Sequence, residues 1–164
     1  MSKHLYKLGQ SKPKKFMGGE LRGASAHEFP ILKGQKGAMY SVALEPGGVR
    51  EPHWHPNAWE FDYCIAGLGR MTVLAPQGEA ETFDVHPGDV VFVPQGHLHY
   101  FENIGPEPLH FVVAFNNEEG EAEDDVGIAA AVSVLPHNIL AKLFNVSEAT
   151  FSGFRSVKDR LVMV

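Results

Sequence analysis

At 164 residues, 44% hydrophobic and 21% charged, the chain can bury the core of one ordinary domain and is too apolar to be disordered. A formal net charge of −6 argues against nucleic acid as a partner, which needs a basic face, and the one basic cluster, Lys12, Lys14 and Lys15, reads as a solvated arm. No stretch has the length of a membrane span, no apolar run follows the first six residues as a secretory signal requires, and the single cysteine, Cys64, fits a reducing compartment, so a cytoplasmic protein is expected.

Taken in order, residues 1–37 form an irregular N-terminal arm, with room for one short strand, because Gly18, Gly19 and Gly23 break any helical period. From residue 38 to about 116 the pattern changes to short Val-, Phe-, Tyr- and Ile-rich runs between Gly and Pro turns, the signature of an all-β sandwich or barrel. The expected strands are 38–44, 59–66, 69–75, 81–85, 89–94, 99–103 and 109–115. Turns at Pro46-Gly47-Gly48, Gly67-Leu68-Gly69, Pro76-Gln77-Gly78, Pro87-Gly88 and Gly105-Pro106 supply the φ angles that tight connections need. Residues 117–164 then hold an acidic loop and short helices belonging to the same domain. An Ala-rich helix over 126–135 would be capped by Asp124 or Asp125, a second begins at Pro136, and a third begins at Ser147.

Two segments carry chemistry. Residues two apart in an extended chain point the same way, so His53 and His55 share one face about 7 Å apart along the strand. Pro56-Asn57 bends the chain, and the next strand brings Glu60, whose hard oxygen suits a divalent cation. His99 opens a later strand after the turn at Pro94-Gln95-Gly96. Three nitrogens and one oxygen leave two positions of an octahedral ion open for a ligand, whereas a structural zinc site would be closed by thiolates. Asp62 shares the parity of Glu60 and could orient a ligand from behind, or face a charged partner elsewhere. Cys64, of the same parity, reads as a small buried hydrophobe.

The first segment has the form Gly-x5-His-x-His-x4-Glu-x6-Gly from Gly47 to Gly67, and the second Gly-x5-Pro-x-Gly-x2-His-x3-Asn from Gly88 to Asn103. On both motifs the chain resembles the cupin superfamily, and the run 46–58, Pro-Gly-Gly-Val-Arg-Glu-Pro-His-Trp-His-Pro-Asn-Ala, is similar to the oxalate decarboxylases, two-cupin manganese enzymes. The resemblance continues through Phe101-Glu102-Asn103-Ile104-Gly105 to Leu135-Pro136 and Leu140-Ala141, and covers most of the chain, with one cupin where that family has two. It implies a double-stranded β-helix, or jelly-roll barrel, with short C-terminal helices, and Mn2+ as the metal, with dioxygen as a possible co-catalyst. The ligand types alone do not separate Mn from Fe, Ni, Zn or Co.

The resemblance also assigns roles. An arginine just before the first histidine binds the substrate carboxylate in that family, and Arg50 stands there, where a guanidinium could hold it through two hydrogen bonds. A glutamate on a lid after the last barrel strand carries the proton. Glu121, with Glu123 next, falls in that segment, although each alone could be part of a solvated acidic loop. The acid found on the last strand of the family's other cupin is replaced here by Val113, and His97 stands where the family has an apolar residue. The implied function is conversion of oxalate, or another small carboxylate, to formate and carbon dioxide. The alternatives are an oxalate oxidase or other metal-dependent dioxygenase, and a non-enzymatic cupin binding a small carboxylate or sugar. Single cupins pair their barrels, so a homodimer or larger homo-oligomer is expected.

Overall fold

The computed structural model describes residues 2–75, 77–120, 124–154, 156–157 and 162–164. Two antiparallel sheets face each other. The first has six strands in the order β1 (Lys14–Lys15), β2 (Gly19–Ala24), β3 (Ala38–Leu44), β10 (Leu109–Phe115), β5 (Glu60–Ala66) and β8 (Val90–Val93). The second has five, in the order β11 (Val126–Gly127), β4 (Val49–Trp54), β9 (Leu98–Asn103), β6 (Gly69–Leu74) and β7 (Ala80–Val85). The barrel-type all-β architecture expected from the turn spacing is therefore present.

The burial pattern shows why these runs are strands. On β3 and β10 every second residue is buried, so Tyr40, Val42, Leu44, Leu109, Phe111, Val113 and Phe115 point between the sheets, where Met71, Val85, Val93 and Phe101 meet them. Gly67 closes the turn between β5 and β6 at φ +87°, and a Cβ there would lie 2.6 Å from the carbonyl oxygen of Pro108, so only glycine fits.

Outside the barrel core, the second sheet's partner face is not the only apolar one. Phe61, Tyr63 and Ile65 on β5 and Val90 and Phe92 on β8 point outward at 41–58% exposure. Phe61 and Phe92 pack with ring centroids 4.9 Å apart, and Trp59 lies 5.5 Å from Phe61.

The arm and the helices depart from expectation in instructive ways. The stretch Gly19–Ala24 is a full strand paired with β3, because its glycines admit close neighbours: a Cβ on Gly23 would sit 2.6 Å from the Tyr40 ring. Strand β4 lacks an apolar rhythm because its inward residues include Arg50 and His53, and it pairs with β9 around an irregularity between Arg50 and His53. The chain end returns to the same strand: Val49 N donates to Val164 O at 2.7 Å.

The first helix, α1 (Ile128–Val134), starts two residues later than expected, at an N-cap of Gly127 without a side-chain cap. Asp124 and Asp125 cap nothing there, since Val126 and Gly127 are spent pairing with Trp54 and His53. Helix α2 (His137–Phe144) follows Pro136 and closes on Asn145 in the left-handed region, and α3 (Ala149–Ser152) follows Glu148. Leu140, Ala141 and Phe151 form a small second core between them.

Candidate metal centre

Three strands from both sheets deliver the expected ligands to one place. His53 on β4 lies directly opposite His99 on β9, with ring centroids 4.1 Å apart. His55 follows β4, and Glu60 opens β5 on the facing sheet. All four are buried, at 0–3% exposure, and one candidate ligand atom from each lies within 4.8 Å of the others. The Oε2 of Glu60 is 3.0 Å from the Nε2 of His55 and 3.0 Å from the Nε2 of His99. Ligands at right angles about 2.1 Å from a shared ion are separated by about 3.0 Å, so the four side chains fit a divalent cation.

The ring protons are placed consistently with that use. The Nδ1 of His53 faces the carbonyl oxygen of Glu51 at 2.7 Å, that of His99 faces His97 O at 3.0 Å, and that of His55 faces Asp124 O at 3.2 Å. A carbonyl can only accept, so each Nδ1 donates and each Nε2 lone pair is left to aim at the centre. Burial, with Arg50 and the other two imidazoles nearby, pushes His53 well below the ordinary histidine range, which keeps it neutral. Burial alone would raise Glu60, but His99 and His55, when protonated in the absence of a metal, outweigh it and hold that carboxyl well below the usual range.

The turn carrying His55 is pinned from two sides. Gly96 N donates to His55 O at 3.0 Å and Gln95 Nε2 to Pro56 O at 2.6 Å, while Asn57 donates through N and Nδ2 to Asp124 Oδ1 at 3.2 and 2.7 Å. Phe115 meets the His55 ring edge-on, its centroid 4.8 Å away. Asn103, the last residue of the second motif, donates to Leu44 O and Glu107 O and so ties the β9 exit to the barrel.

Arg50 is 1% exposed beside the centre, where its Nη2 donates to Asp125 Oδ2. Burial raises Asp125, and Arg50 opposes that shift. Glu51, the next residue, accepts from Ala129 N at 2.9 Å and receives the start of α1. Burial raises its carboxyl as well.

Asp124, Asp125 and Glu51 are the charged neighbours that sequence reasoning did not place here. Val126 and Gly127 pair as β11 with Trp54 and His53 of β4 and draw both aspartates across that strand as a strap. Glu121 and Glu123, the expected lid acids, lie outside the described residues. Asp62 is inward and 1% exposed, and Cys64 is fully buried, as their parity predicts. His97 lies on the turn and contributes its backbone carbonyl to His99, but is not among the converging ligands.

A two-sheet antiparallel barrel with a buried three-histidine, one-carboxylate cluster defines the class of the molecule. The cupin family pattern matches residues 6–151, and the chain belongs to the cupin family. It is 39% identical over 135 residues to the oxalate decarboxylase OxdC of Bacillus subtilis (strain 168), across 82% of this chain and 34% of that protein. To an oxalate decarboxylase of Arthroderma benhamiae it is 34% identical over 146 residues, 88% of this chain and 33% of the other. A germin-like protein of Arabidopsis thaliana, subfamily 2 member 2, is 29% identical over 157 residues, 93% of this chain and 70% of the other. A solved structure of the Bacillus subtilis oxalate decarboxylase, a protein with Mn(II) centres, superimposes with a TM-score of 0.85 at 35% identity, covering 96% of this chain and 40% of that one. The chain thus spans about a third of the length of the curated oxalate decarboxylases it matches.

Proposed function

We propose that this cupin is a metal-dependent enzyme acting on a small carboxylate, with oxalate as the substrate and formate and carbon dioxide as products. The observation that carries the proposal is the buried quartet His53, His55, Glu60 and His99 with the equally buried Arg50 beside it. Its likeness to oxalate decarboxylases, one with Mn(II) centres, supports oxalate and Mn2+. The four side chains would hold the ion, which supplies Lewis acidity and a one-electron redox partner. Arg50 would bind a substrate carboxylate and fix its plane, held in turn by Asp125. Glu121, or Glu123, would take the substrate's proton and return it to the carbon left behind when carbon dioxide departs, which balances oxalate and one proton against formate and carbon dioxide.

The partner proposed is a second copy of this chain, supported by the outward aromatic face of β5 and β8. The function is tested by metal analysis of protein purified without added metal, then an oxalate assay that reads formate and peroxide together. Formate supports the decarboxylase, peroxide moves the assignment to an oxidase, and binding without turnover leaves a small-carboxylate binder. Replacing Glu121 with Gln is expected to retain the metal and lose formate, and full formate production would remove Glu121 from the proposal.

A further inference from the structure

Two features at opposite edges of the six-stranded sheet take no part in the proposed chemistry, and they match each other. The first is the tip of the β1–β2 hairpin. Phe16 N donates to Gly19 O at 2.8 Å, which turns the chain through Met17 and Gly18. Met17 stands on that turn at 78% exposure, and Lys12, Lys14 and Lys15 are exposed on the chain leading to it. The tip is fixed to the barrel, because Gly18 N donates to Met163 O at 3.3 Å and Glu45 N donates to Gly18 O at 3.0 Å. A Cβ on Gly18 would lie 2.1 Å from Val164 O, so the turn packs against the chain end with no gap. The apolar side chain of Met17 is thus presented on a rigid base.

The second feature is an open groove of about 370 Å³ at the seam where β8 ends the first sheet and β7 ends the second. Val73, Phe83, Val90 and Phe92 give it apolar walls, and Glu79 and Glu81 line it with them. Among the described residues neither glutamate has a salt-bridge partner, and neither do Lys12, Lys14 and Lys15. Their neighbours do: Asp84 is paired with Arg70, Asp89 with His86, and Glu20 with Arg22. The uncompensated charges left on the two edges are therefore opposite in sign.

The whole chain repeats that polarity. Residues 1–37 hold eight lysines and arginines against Glu20 and Glu28, and the remainder holds six against eighteen acidic residues. One molecule's basic arm is drawn toward the acidic body of another. The hairpin cannot reach its own groove, because six strands spaced about 4.8 Å apart separate β1 from β8 by about 24 Å across the sheet. Lysines on an edge strand ordinarily ward off strand pairing, and here the turn, not the edge, is the part offered.

We propose that the β1–β2 hairpin of one molecule docks in the β7–β8 groove of a second copy, with Met17 between the apolar walls and the lysines beside Glu79 and Glu81. This takes up the second copy proposed above and gives it a contact apart from the aromatic face. Tip and groove are different surfaces, so the contact is head-to-tail and builds a ring or a filament, whereas a two-fold contact stops at a pair.

Sedimentation velocity of the full chain tests it in an Ile65→Asp background. Ile65 belongs to the outward apolar face but does not pair with β8, so failure of that face and failure of this contact are read apart. Association is expected, and it should weaken as salt rises from about 0.05 M to about 0.5 M. Lys14→Glu with Lys15→Glu should weaken it about tenfold or more, and Glu79→Lys with Glu81→Lys likewise, since like charges then meet. The chain carrying all four reversals should associate again, which a folding defect would not allow. Cross-linking reads the direction: Met17→Cys chains mixed with Glu81→Cys chains should form a disulfide-linked pair that neither forms alone, and the buried Cys64 does not compete. A single species at every salt concentration, association indifferent to both pairs of reversals, or four reversals that fail to restore it overturns the inference. A chain that stays single and binds phosphatidylserine vesicles through the three lysines overturns it too, and assigns the tip to a membrane surface.

Discussion

Replacing Asn57 with Ala probes the strap without touching a ligand. Asn57 Nδ2 gives Asp124 Oδ1 a 2.7 Å hydrogen bond, and the carbonyl of the same Asp124 orients the His55 ring. Loss of a hydrogen bond to a charged group costs about 1.5–3 kcal/mol. In a chain of this size, at about 2–4 °C per kcal/mol, that lowers Tm by about 3–12 °C. The larger effect is expected at the metal. Groups that orient a ligating imidazole through its second nitrogen are worth about 10–100-fold in affinity, and relaxing Asp124 releases the His55 ring. Chelator competition with Mn2+ reads the affinity, and thermal unfolding of the metal-free protein reads the stability term separately. An Asn57→Ala protein that loses stability but binds Mn2+ within twofold of wild type would falsify the coupling between strap and His55.

Glu60→Gln removes the carboxylate that faces two imidazole Nε2 atoms at 3.0 Å, and metal content after purification should fall by well over half, checked by elemental analysis. Glu118 accepts from Gly34 N at 2.8 Å and Lys36 N at 2.9 Å, and these bonds hold its carboxyl below the ordinary range. A depressed carboxyl stabilises above its unfolded-state pKa and loses that contribution as pH falls through its folded-state value. The Tm deficit of Glu118→Gln at neutral pH should therefore shrink as pH falls through the acid range and the Glu118 carboxyl is protonated in the folded protein; a deficit that stays constant into strong acid would point to packing instead. Phe61→Asp, placed in the outward aromatic face, should shift sedimentation toward a single chain, and an unchanged sedimentation profile would remove that face from the assembly.

The strands with an alternating apolar pattern were legible because each such run has one inward face. The stretch 38–44 matches β3 to the residue, and 109–115 matches β10. Strand β4 was legible only as an extended segment, because its inward positions are charged or ligating and give no hydrophobic signal. The same holds for Gly19–Ala24, whose glycines read as breaks when they are points of close approach between strands. At the centre, the four convergent ligands follow from motif spacing. The strap does not. The pairing of Val126 and Gly127 with Trp54 and His53 joins segments more than seventy residues apart, and no local pattern marks it. Asp124 and Asp125 look like helix caps in sequence and become neighbours of His55 and Arg50 only through that pairing.

The three imidazole protons all end on main-chain oxygens, those of Glu51, His97 and Asp124. An acceptor of this kind survives any single codon change, since every amino acid carries it. Lineages of this barrel can therefore alter the residues at all three positions without directly deleting what sets the tautomer. What sets the tautomer is then the path of the backbone, on which side chains such as that of Asp124 act only indirectly, by holding it in place.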